Sequence, residues 1–345
     1  MYSFIMIIKY IGQYGTSGYA TAAKGYIANY VINNIPINWY PLIFDDSKND
    51  NNYFVDRYAE SALNTHYNDY DRLIIHSTPD IWNELTKLYK DIPEKIGYCT
   101  WETTKLPKTW VNYINQLETI WVPSNFNKEV FTDSGVTSNI CVVPHIKFKE
   151  KLFPKQRIKL TCDFGNIIPN NKFTYYSICE FNERKGIFDL INVFNKINDK
   201  YPDTQLVLKL HYKHYGKDSN NYIKNVISKL SNKLNKSIFL LLKNLNRDQI
   251  IAIHSFGDCY VSLHKGEGFG LTIFDAYNLN KNIVTTKFGG QIDYLGENYE
   301  GLVDYKLSPV SNMQSFNHVY TKDQLWAQPN LDHAFTLMEN VYLKK

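Results

Sequence analysis

The stretch HKGEGFGLTIFDAYNLNKNIVTT, residues 264–286, decides the fold class of this 345-residue chain. It follows an apolar run that ends near Ser262, and it predicts a strand, a glycine-rich turn and then a helix. The glycines of the turn leave main-chain N–H groups uncovered, and a helix N-terminus behind them favours an anion such as a diphosphate. The residues predicted to contribute to that anion site are Gly268, Phe269, Gly270 and Leu271.

Two carboxylates lie in the same stretch. Glu267 stands in the turn, aimed at whatever is joined to the phosphates, and Asp275 follows it by eight positions along the helix. Asp275 can accept two hydrogen bonds from a vicinal diol such as a ribose. The alternative is a strand–turn–helix in which the glycines only permit the turn, since a glycine-rich loop alone is a weak signal. The carboxylate in the turn favours a functional site, because burying it next to phosphates would otherwise be costly.

The composition excludes several classes of protein. Hydrophobic residues make up 44% of the chain and charged residues 21%, which is typical of a folded protein. The 38 basic and 34 acidic residues nearly balance, and a net charge of +4 is too small to favour nucleic acid as a partner. No apolar run approaches the roughly 18 residues that cross a bilayer, and Phe4–Ile8 predicts a strand instead of a signal peptide.

The five cysteines are scattered along the chain and are odd in number. They favour neither a disulfide framework nor a zinc site, so we expect a reducing compartment. That compartment is the cytoplasm, or the host cytoplasm if a large DNA virus encodes the chain.

Short β-rich runs alternate with helical stretches, which is typical of parallel βα units. The predicted strands are Phe4–Tyr10, Ile37–Pro41, Arg72–His76, Lys95–Cys99, Thr119–Pro123, Phe173–Cys179, Gln205–Leu210, Ile238–Leu242, Asp258–Ser262 and Asn282–Thr286. The predicted helices include Ala20–Asn33, Asp80–Tyr89, Lys108–Leu117, Gly186–Asn198, Asn221–Leu234, Arg247–Phe256 and Leu271–Leu279.

This alternation predicts two doubly wound, Rossmann-like α/β domains that face a central cleft. Residues 1–150 form the first domain and residues 172–329 the second, which holds the anion site. Residues 151–171, rich in Lys, Pro and Asn, are the predicted linker. Ligands of such sheets bind at the carboxyl ends of the strands, so the loops that follow strands are where function is expected.

The stretch Gly266–Thr286 resembles the donor signature of retaining glycosyltransferases of family 4, which have the two-domain GT-B fold. That family carries an E-x7-E pattern; here Glu267 is followed by Asp275, one methylene shorter than the family's glutamate. The resemblance continues at Ser177–Gly186, with its Arg-Lys-Gly turn, and at Gly12–Ala20 after the first strand. Further segments that resemble the family are 97–107, 121–126, 142–145, 289–294 and 326–338.

The resemblance implies roles for residues outside the signature. Arg184 and Lys185 would neutralise the donor diphosphate; a solvated pair at a helix start is the alternative. Gly15 and Gly18 would approach the sugar phosphate across the cleft, or else form a plain turn. The last helix, about residues 330–345, would cross back onto the first domain.

Two further residues of the first domain have predicted catalytic roles. His76 ends a predicted strand and would project into the cleft, where a histidine of the family contacts the donor sugar. A structural histidine is the alternative. Glu102 is predicted to bind a donor or acceptor hydroxyl, and a surface pair with Lys105 is the alternative.

The implied function is transfer of a sugar from a UDP- or GDP-sugar to a hydroxyl of a carbohydrate or glycosylated acceptor, with retained anomeric configuration, in glycan biosynthesis. No Asp-x-Asp motif stands where it suggests a metal-bound diphosphate, so we expect metal independence and no further cofactor. The alternatives are a nucleotide-sugar epimerase of GT-B-like fold and an inactive sugar-nucleotide-binding protein.

Overall fold

The computed structural model describes residues 6–43, 56–147, 151–211, 218–311, 313, 316 and 318–345. The chain forms two compact units, Met1–Phe148 and Lys149–Lys345. Each unit is built on its own six-stranded sheet.

The first unit contains a parallel sheet with helices between its strands. Its strands are β1 (Ile8–Gln13), β2 (Ile37–Leu42), β3 (Arg72–His76), β4 (Glu94–Tyr98), β5 (Thr119–Val122) and β6 (Asn139–Val142). Its helices are α1 (Gly18–Ile32), α2 (Arg57–Ser61), α3 (Trp82–Leu88), α4 (Lys108–Ile114) and α5 (Asn125–Asp133). The strand order is β2-β1-β3-β4-β5-β6, so the direction of winding reverses between β1 and β3.

The second unit has the same construction. Its strands are β7 (Phe173–Glu180), β8 (Thr204–His211), β9 (Ile238–Leu241), β10 (Cys259–Ser262), β11 (Asn282–Thr286) and β12 (Leu302–Val303). The helices that follow these strands are α6 (Ile187–Lys200), α7 (Ser219–Leu230), α8 (Arg247–Phe256), α9 (Leu271–Asn278) and α10 (Ile292–Leu295). The order β12-β11-β10-β7-β8-β9, parallel throughout, reverses between β7 and β10, as in the dinucleotide-binding Rossmann order.

Apolar side chains of the second sheet alternate between two cores. Tyr175 on β7 packs in one core with α6 and α7, whereas its neighbour Tyr176 packs in the other core with α8 and α9. Because successive strand residues point to opposite faces, both faces of this sheet are covered by helices. The predicted α/β class, with two Rossmann-like parallel sheets, is confirmed.

The elements at the end of the chain are β13 (Tyr305–Pro309), β14 (Leu325–Pro329) and α11 (Leu331–Leu343); the two strands pair antiparallel. The structure groups α11 with the second unit, and the crossing of the last helix onto the first domain stays a prediction. Ala334, Met338 and Tyr342 lie in the core of that unit, and the Tyr175 hydroxyl donates to the Met338 carbonyl at 2.8 Å. Burial of this apolar face is the physical reason for the placement.

The predicted linker, 151–171, also lies within the second unit. Ile158, Cys162 and Ile168 are buried in the same core as α8 and α9, and Lys155 pairs with Asp258 at 2.6 Å. A segment rich in Lys, Pro and Asn therefore packs as part of the unit through these buried residues, although others of its apolar side chains, such as Phe164 and Ile167, are exposed.

Most predicted elements agree with the structure to within a few residues, and β3, β11 and α8 agree at both ends. β6 is a strand that the sequence analysis does not predict. The first residues of the predicted strand Phe4–Tyr10 lie outside the described part of the chain.

Candidate functional site

The glycine-rich turn lies between β10 and α9, at the point where the second sheet reverses its winding. Gly270 precedes the first residue of α9 with φ +80°, a left-handed conformation that favours glycine. The hydroxyl of Tyr294 donates to the carbonyls of Phe269 and Gly270 at 3.1 and 3.0 Å. Tyr294 thereby fastens the turn to the segment after β11, so the start of α9 has a fixed position.

The turn after β7 fits directly against the glycine-rich turn. Gly186 has φ +64°, and a Cβ there would lie 1.8 Å from the Leu263 carbonyl oxygen, so only glycine fits. The main-chain N–H of Lys265 donates to the Arg184 carbonyl at 2.7 Å, and the Lys265 ammonium pairs with Glu183. The structure thus brings the Arg-Lys-Gly turn and the glycine-rich turn together, although they lie about 80 residues apart.

Glu267 lies beside both predicted diphosphate-binding cations. The Lys185 ammonium pairs with the Glu267 carboxylate, and the Arg184 guanidinium lies 4.0 Å from the same carboxylate oxygen. Arg184 also donates to the Gly266 carbonyl at 2.8 Å. Burial raises the pKa of Glu267, but the charges of Lys185 and Arg184 outweigh it and hold that pKa at about 2. The carboxylate is therefore ionised and held in place by two cations.

The loop after β11 locks the turn from its other side. Gly290 N–H donates to the Glu267 carbonyl at 2.9 Å, and Gly289 has φ +121°. A Cβ at Gly289 would lie 2.2 Å from the Glu267 carbonyl oxygen. The buried His264 ring bonds the Phe288 carbonyl at 2.9 Å, and burial lowers its pKa to about 4, so it donates as a neutral imidazole.

Asp275 lies on α9 and pairs with a residue that the sequence analysis does not predict to be its partner. The Arg247 guanidinium binds both carboxylate oxygens, at 2.6 and 2.8 Å. The side chains of Arg247 and Asp275 are only 11% and 13% exposed. Arg247 is the first residue of α8, in the segment that follows β9, and the sequence analysis gives no signal for its role.

Gly15, Gly18 and His76 lie at the reversal point of the first sheet, after β1 and at the end of β3. Gly15 has φ +118°, and its carbonyl accepts from the buried Lys24 ammonium at 3.1 Å. Gly18 is the first residue of α1, and Ser17 caps that helix by accepting from the Ala20 N–H. The loop is therefore a positive-φ turn followed by a capped helix; its contact with a sugar phosphate stays a prediction.

His76 is the last residue of β3 and is buried in the first unit; its projection into a cleft stays a prediction. Its side chain stacks on Tyr98 with ring centroids 4.3 Å apart, and its Nδ1 bonds the Tyr10 hydroxyl at 2.7 Å. Only 2% of the residue is exposed. Burial, with a smaller effect of His145, lowers its pKa well below 6.5, so the ring is neutral. The predicted contact of His76 with a donor sugar is not tested by these observations.

Glu102 lies in the loop after β4 and is half-buried. The indole N–H of the neighbouring Trp101 donates to the Thr103 hydroxyl and to the Lys105 carbonyl, both at 2.7 Å, and these bonds shape the loop. The predicted role of Glu102 in binding a hydroxyl stays a prediction.

Residues 161–311 match the family model described as "Glycosyl transferases group 1". An uncharacterized glycosyltransferase of Methanocaldococcus jannaschii is 26% identical over 171 residues, which is 48% of this chain and 39% of that protein. Trehalose synthase of Thermococcus litoralis is 26% identical over 113 residues, 33% of this chain and 27% of that protein. The matched stretch thus spans between a quarter and two fifths of the length of these relatives.

Solved structures resemble the chain over most of its length. Anabaena HepE in complex with UDP-glucose has a TM-score of 0.58 at 14% identity and covers 86% of this chain and 85% of its own. The structure named "Trehalose-6-phosphate from E. coli bound with UDP-2-fluoro glucose" has a TM-score of 0.60 at 12% identity, covering 97% and 91%. At such identities the likeness shows the fold, which is of the GT-B type.

The family match covers residues 161–311, which is less than half of this chain, and the likeness to the solved structures shows the fold. The matched residues include the glycine-rich turn, Glu267 and Asp275. Among the described residues, no helix is both long enough and apolar enough to pass through a membrane.

Proposed function

We propose that the protein is a retaining glycosyltransferase that moves a sugar from a nucleoside-diphosphate donor to a hydroxyl of a carbohydrate or glycosylated acceptor. The observation that carries the proposal is the Glu267 carboxylate, fixed by Lys185 and close to Arg184 at the start of α9. Cations and a helix N-terminus suit a diphosphate, and an ionised carboxylate beside them suits the hydroxyl groups of the attached sugar.

In the proposed reaction, the bond between the anomeric carbon and the diphosphate oxygen breaks, and its electron pair stays with the diphosphate. The acceptor oxygen bonds the same face of the anomeric carbon, and its proton goes to the departing phosphate oxygen. Arg184, Lys185 and the start of α9 stabilise the charge on the leaving group, each charged contact contributing about 2–4 kcal/mol in a water-poor site. Glu267 holds the sugar ring, and Asp275 binds the ribose.

We propose UDP-sugars as the first donors to test, because HepE is described in complex with UDP-glucose and the E. coli structure with UDP-2-fluoro glucose. We also propose that the reaction needs no metal ion, since Arg184 and Lys185 supply positive charge at the diphosphate. Transfer at the same rate with and without EDTA is the expected result; a rate lost with EDTA and restored by Mg²⁺ or Mn²⁺ would contradict it.

The central experiment is a thermal-shift panel of UDP-, GDP-, TDP- and CMP-sugars, followed by transfer assays with the donor that stabilises the protein. We expect a glycoside product with the donor's anomeric configuration, read by NMR, and slow donor hydrolysis without acceptor. A new nucleotide sugar formed without acceptor would identify an epimerase instead. Stabilisation without hydrolysis or transfer, over a broad acceptor panel, would identify an inactive binding protein.

The assigned role of Glu267 is tested by Glu267→Ala, with Glu300→Ala as the matched control. Glu300 is an exposed carboxylate whose partner is the exposed Lys344. Glu267→Ala should abolish transfer while the fold is retained, and Glu300→Ala should transfer as the wild type does. Unchanged turnover by Glu267→Ala would remove Glu267 from the site.

A further inference from the structure

An open cavity of about 560 Å³ lies at the amino ends of the strands of the second sheet. Its lining includes Phe173 at the start of β7, Asp258 just before β10 and Asn282 at the start of β11. The glycine-rich turn follows β10, at the carboxyl end of the same sheet. Because β10 has four residues, about 13 Å or more separates the two edges. The cavity is therefore distinct from the site described above.

The lining of this cavity is almost entirely polar. It consists of four lysines, four asparagines, two aspartates and Phe173, which is itself only 9% exposed. Such a lining offers little contact to an apolar ligand. Ammonium groups suit an anion such as a phosphate, and amides both donate to and accept from hydroxyl groups. The composition therefore favours a ligand that carries an anionic group and several hydroxyls.

Both aspartates of the cavity already have a lysine as partner. Asp258 pairs with Lys155 at 2.6 Å and also accepts from the Thr174 N–H at 2.8 Å. Asp203 pairs with Lys345 at 2.6 Å. The charges of the two carboxylates are thus compensated, and two further lysines of the lining remain to receive an anion.

Lys281 is one of these two lysines. It follows α9, and its N–H donates to the Ala276 carbonyl at 2.9 Å, so its backbone position is fixed. No residue that the structure describes forms a hydrogen bond or an ion pair with its ammonium. Burial lowers the pKa of Lys281; the charge of Asp258 partly offsets this effect, and the charge of Lys155 adds to it. A bound anion would supply the partner that this half-buried ammonium lacks.

Lys172 supplies a second cation to the same cavity. Its ammonium donates to the Pro202 carbonyl at 3.3 Å, which uses one of its three N–H donors. The volume of the cavity is more than a phosphate alone fills and lies in the range of small-molecule sites.

We propose that this cavity binds a phosphorylated sugar, with the phosphate held by Lys281 and Lys172 and the sugar hydroxyls bonded by the asparagine amides. The inference goes beyond the proposed function and does not depend on it, because the cavity and the glycine-rich turn lie at opposite ends of the sheet.

The test is calorimetric titration of the full chain with glucose-6-phosphate, glucose-1-phosphate and mannose-6-phosphate, and separately with inorganic phosphate. Wild type should bind at least one of the sugar phosphates about 10-fold or more tightly than inorganic phosphate. Lys281→Gln should weaken that binding about 10-fold or more, as expected for a lost hydrogen bond to a charged group, and Lys172→Gln about 3-fold or more. Inorganic phosphate bound as tightly as every sugar phosphate, or no sugar phosphate bound, would overturn the inference.

Lys196→Gln is the matched control, because it removes one exposed lysine of the same unit; it should keep the wild-type affinity. Lys185→Gln should also keep it, which separates the cavity from the glycine-rich turn. Binding that is lost in Lys185→Gln and kept in Lys281→Gln would assign the sugar phosphate to that turn and overturn the inference. A lower Tm of Lys281→Gln with unchanged affinity would overturn it too, since Lys281 would then only stabilise the end of α9. None of these outcomes bears on the donor panel that tests the proposed function.

Discussion

Replacing Glu267 with glutamine should tighten the binding of bare UDP. Lys185 pairs with the Glu267 carboxylate, and Arg184 lies close to it. A diphosphate must draw these cations toward itself and so weaken their interaction with Glu267. UDP carries no sugar, so in the proposed scheme Glu267 gives it no favourable contact. Glu267→Gln removes an anion that competes with the diphosphate for Lys185 and Arg184, so UDP has less to displace.

The size of the expected gain in UDP affinity follows from the interaction of Glu267 with its surroundings. The pKa of Glu267 is about 2 instead of 4.5, because the cations outweigh burial. A pKa difference of about 2.5 corresponds to a coupling of about 3 kcal/mol between the carboxylate and its surroundings. The carboxylate side chain is 15% exposed, so solvent screens part of this coupling and the cations move only part of the way. We expect a gain of about 1–2 kcal/mol, which is about 5- to 30-fold in Kd.

Isothermal titration calorimetry with UDP, at low and at high salt, measures the change. Glu267→Gln should bind UDP more tightly than wild type, with a larger thermal shift on binding, and should lose the ability to transfer sugar. Glu300→Gln should match the wild type in both measurements. Equal or weaker binding of UDP by Glu267→Gln would refute the competition between carboxylate and diphosphate.

Three further predictions concern stability and the shape of the turn. Folding lowers the pKa of Glu267, so the ionised carboxylate contributes its full stabilisation above about pH 4.5 and loses it toward pH 2. Urea denaturation should therefore show wild type and Glu267→Gln closer in stability at pH 3 than at pH 6. Burial lowers the pKa of His254 and His264 from 6.5 to about 4, so below pH 6.5 the unfolded chain binds more protons than the folded chain does. The free energy of unfolding should therefore fall as the pH is lowered from 6.5 to 4. A free energy of unfolding that does not change over this range would contradict the prediction. Gly289→Ala should distort the Glu267 carbonyl and weaken UDP binding at least tenfold by calorimetry, whereas Gly165→Ala, at a positive φ with nothing within 4 Å, should leave binding unchanged.

The local structure of the site follows from its sequence. The run from Ser262 to Asn278 contains an apolar strand, glycines that permit a left-handed turn, and a helix, and each depends on neighbours within a few residues. The alternation of such units along the chain also predicts two parallel sheets, because parallel strands require crossover helices. These features are local or periodic, so the order of residues suffices to predict them.

The packing partners of two segments did not follow from their sequence patterns. Residues 151–171 have a linker-like composition, yet Ile158 and Ile168 are buried against the second sheet. The apolar face of α11 predicts burial but does not specify the surface that covers it; the structure packs it beside α6. An amphipathic pattern identifies which face is buried and leaves the partner to tertiary packing.

The sequence by itself determined the α/β class and the glycine-rich turn. It also determined that Glu267 stands in this turn and that Asp275 lies on the helix that follows it. Only the tertiary structure decided which charges meet: Lys185 with Glu267, and Arg247 with Asp275. The partners in these pairs lie 82 and 28 residues apart, and what joins them is the order of strands in the sheet. β7 and β10 are neighbours because the winding of the sheet reverses between them. The side-chain contacts at that reversal form only in the folded sheet, since no local sequence pattern specifies which distant residues meet there.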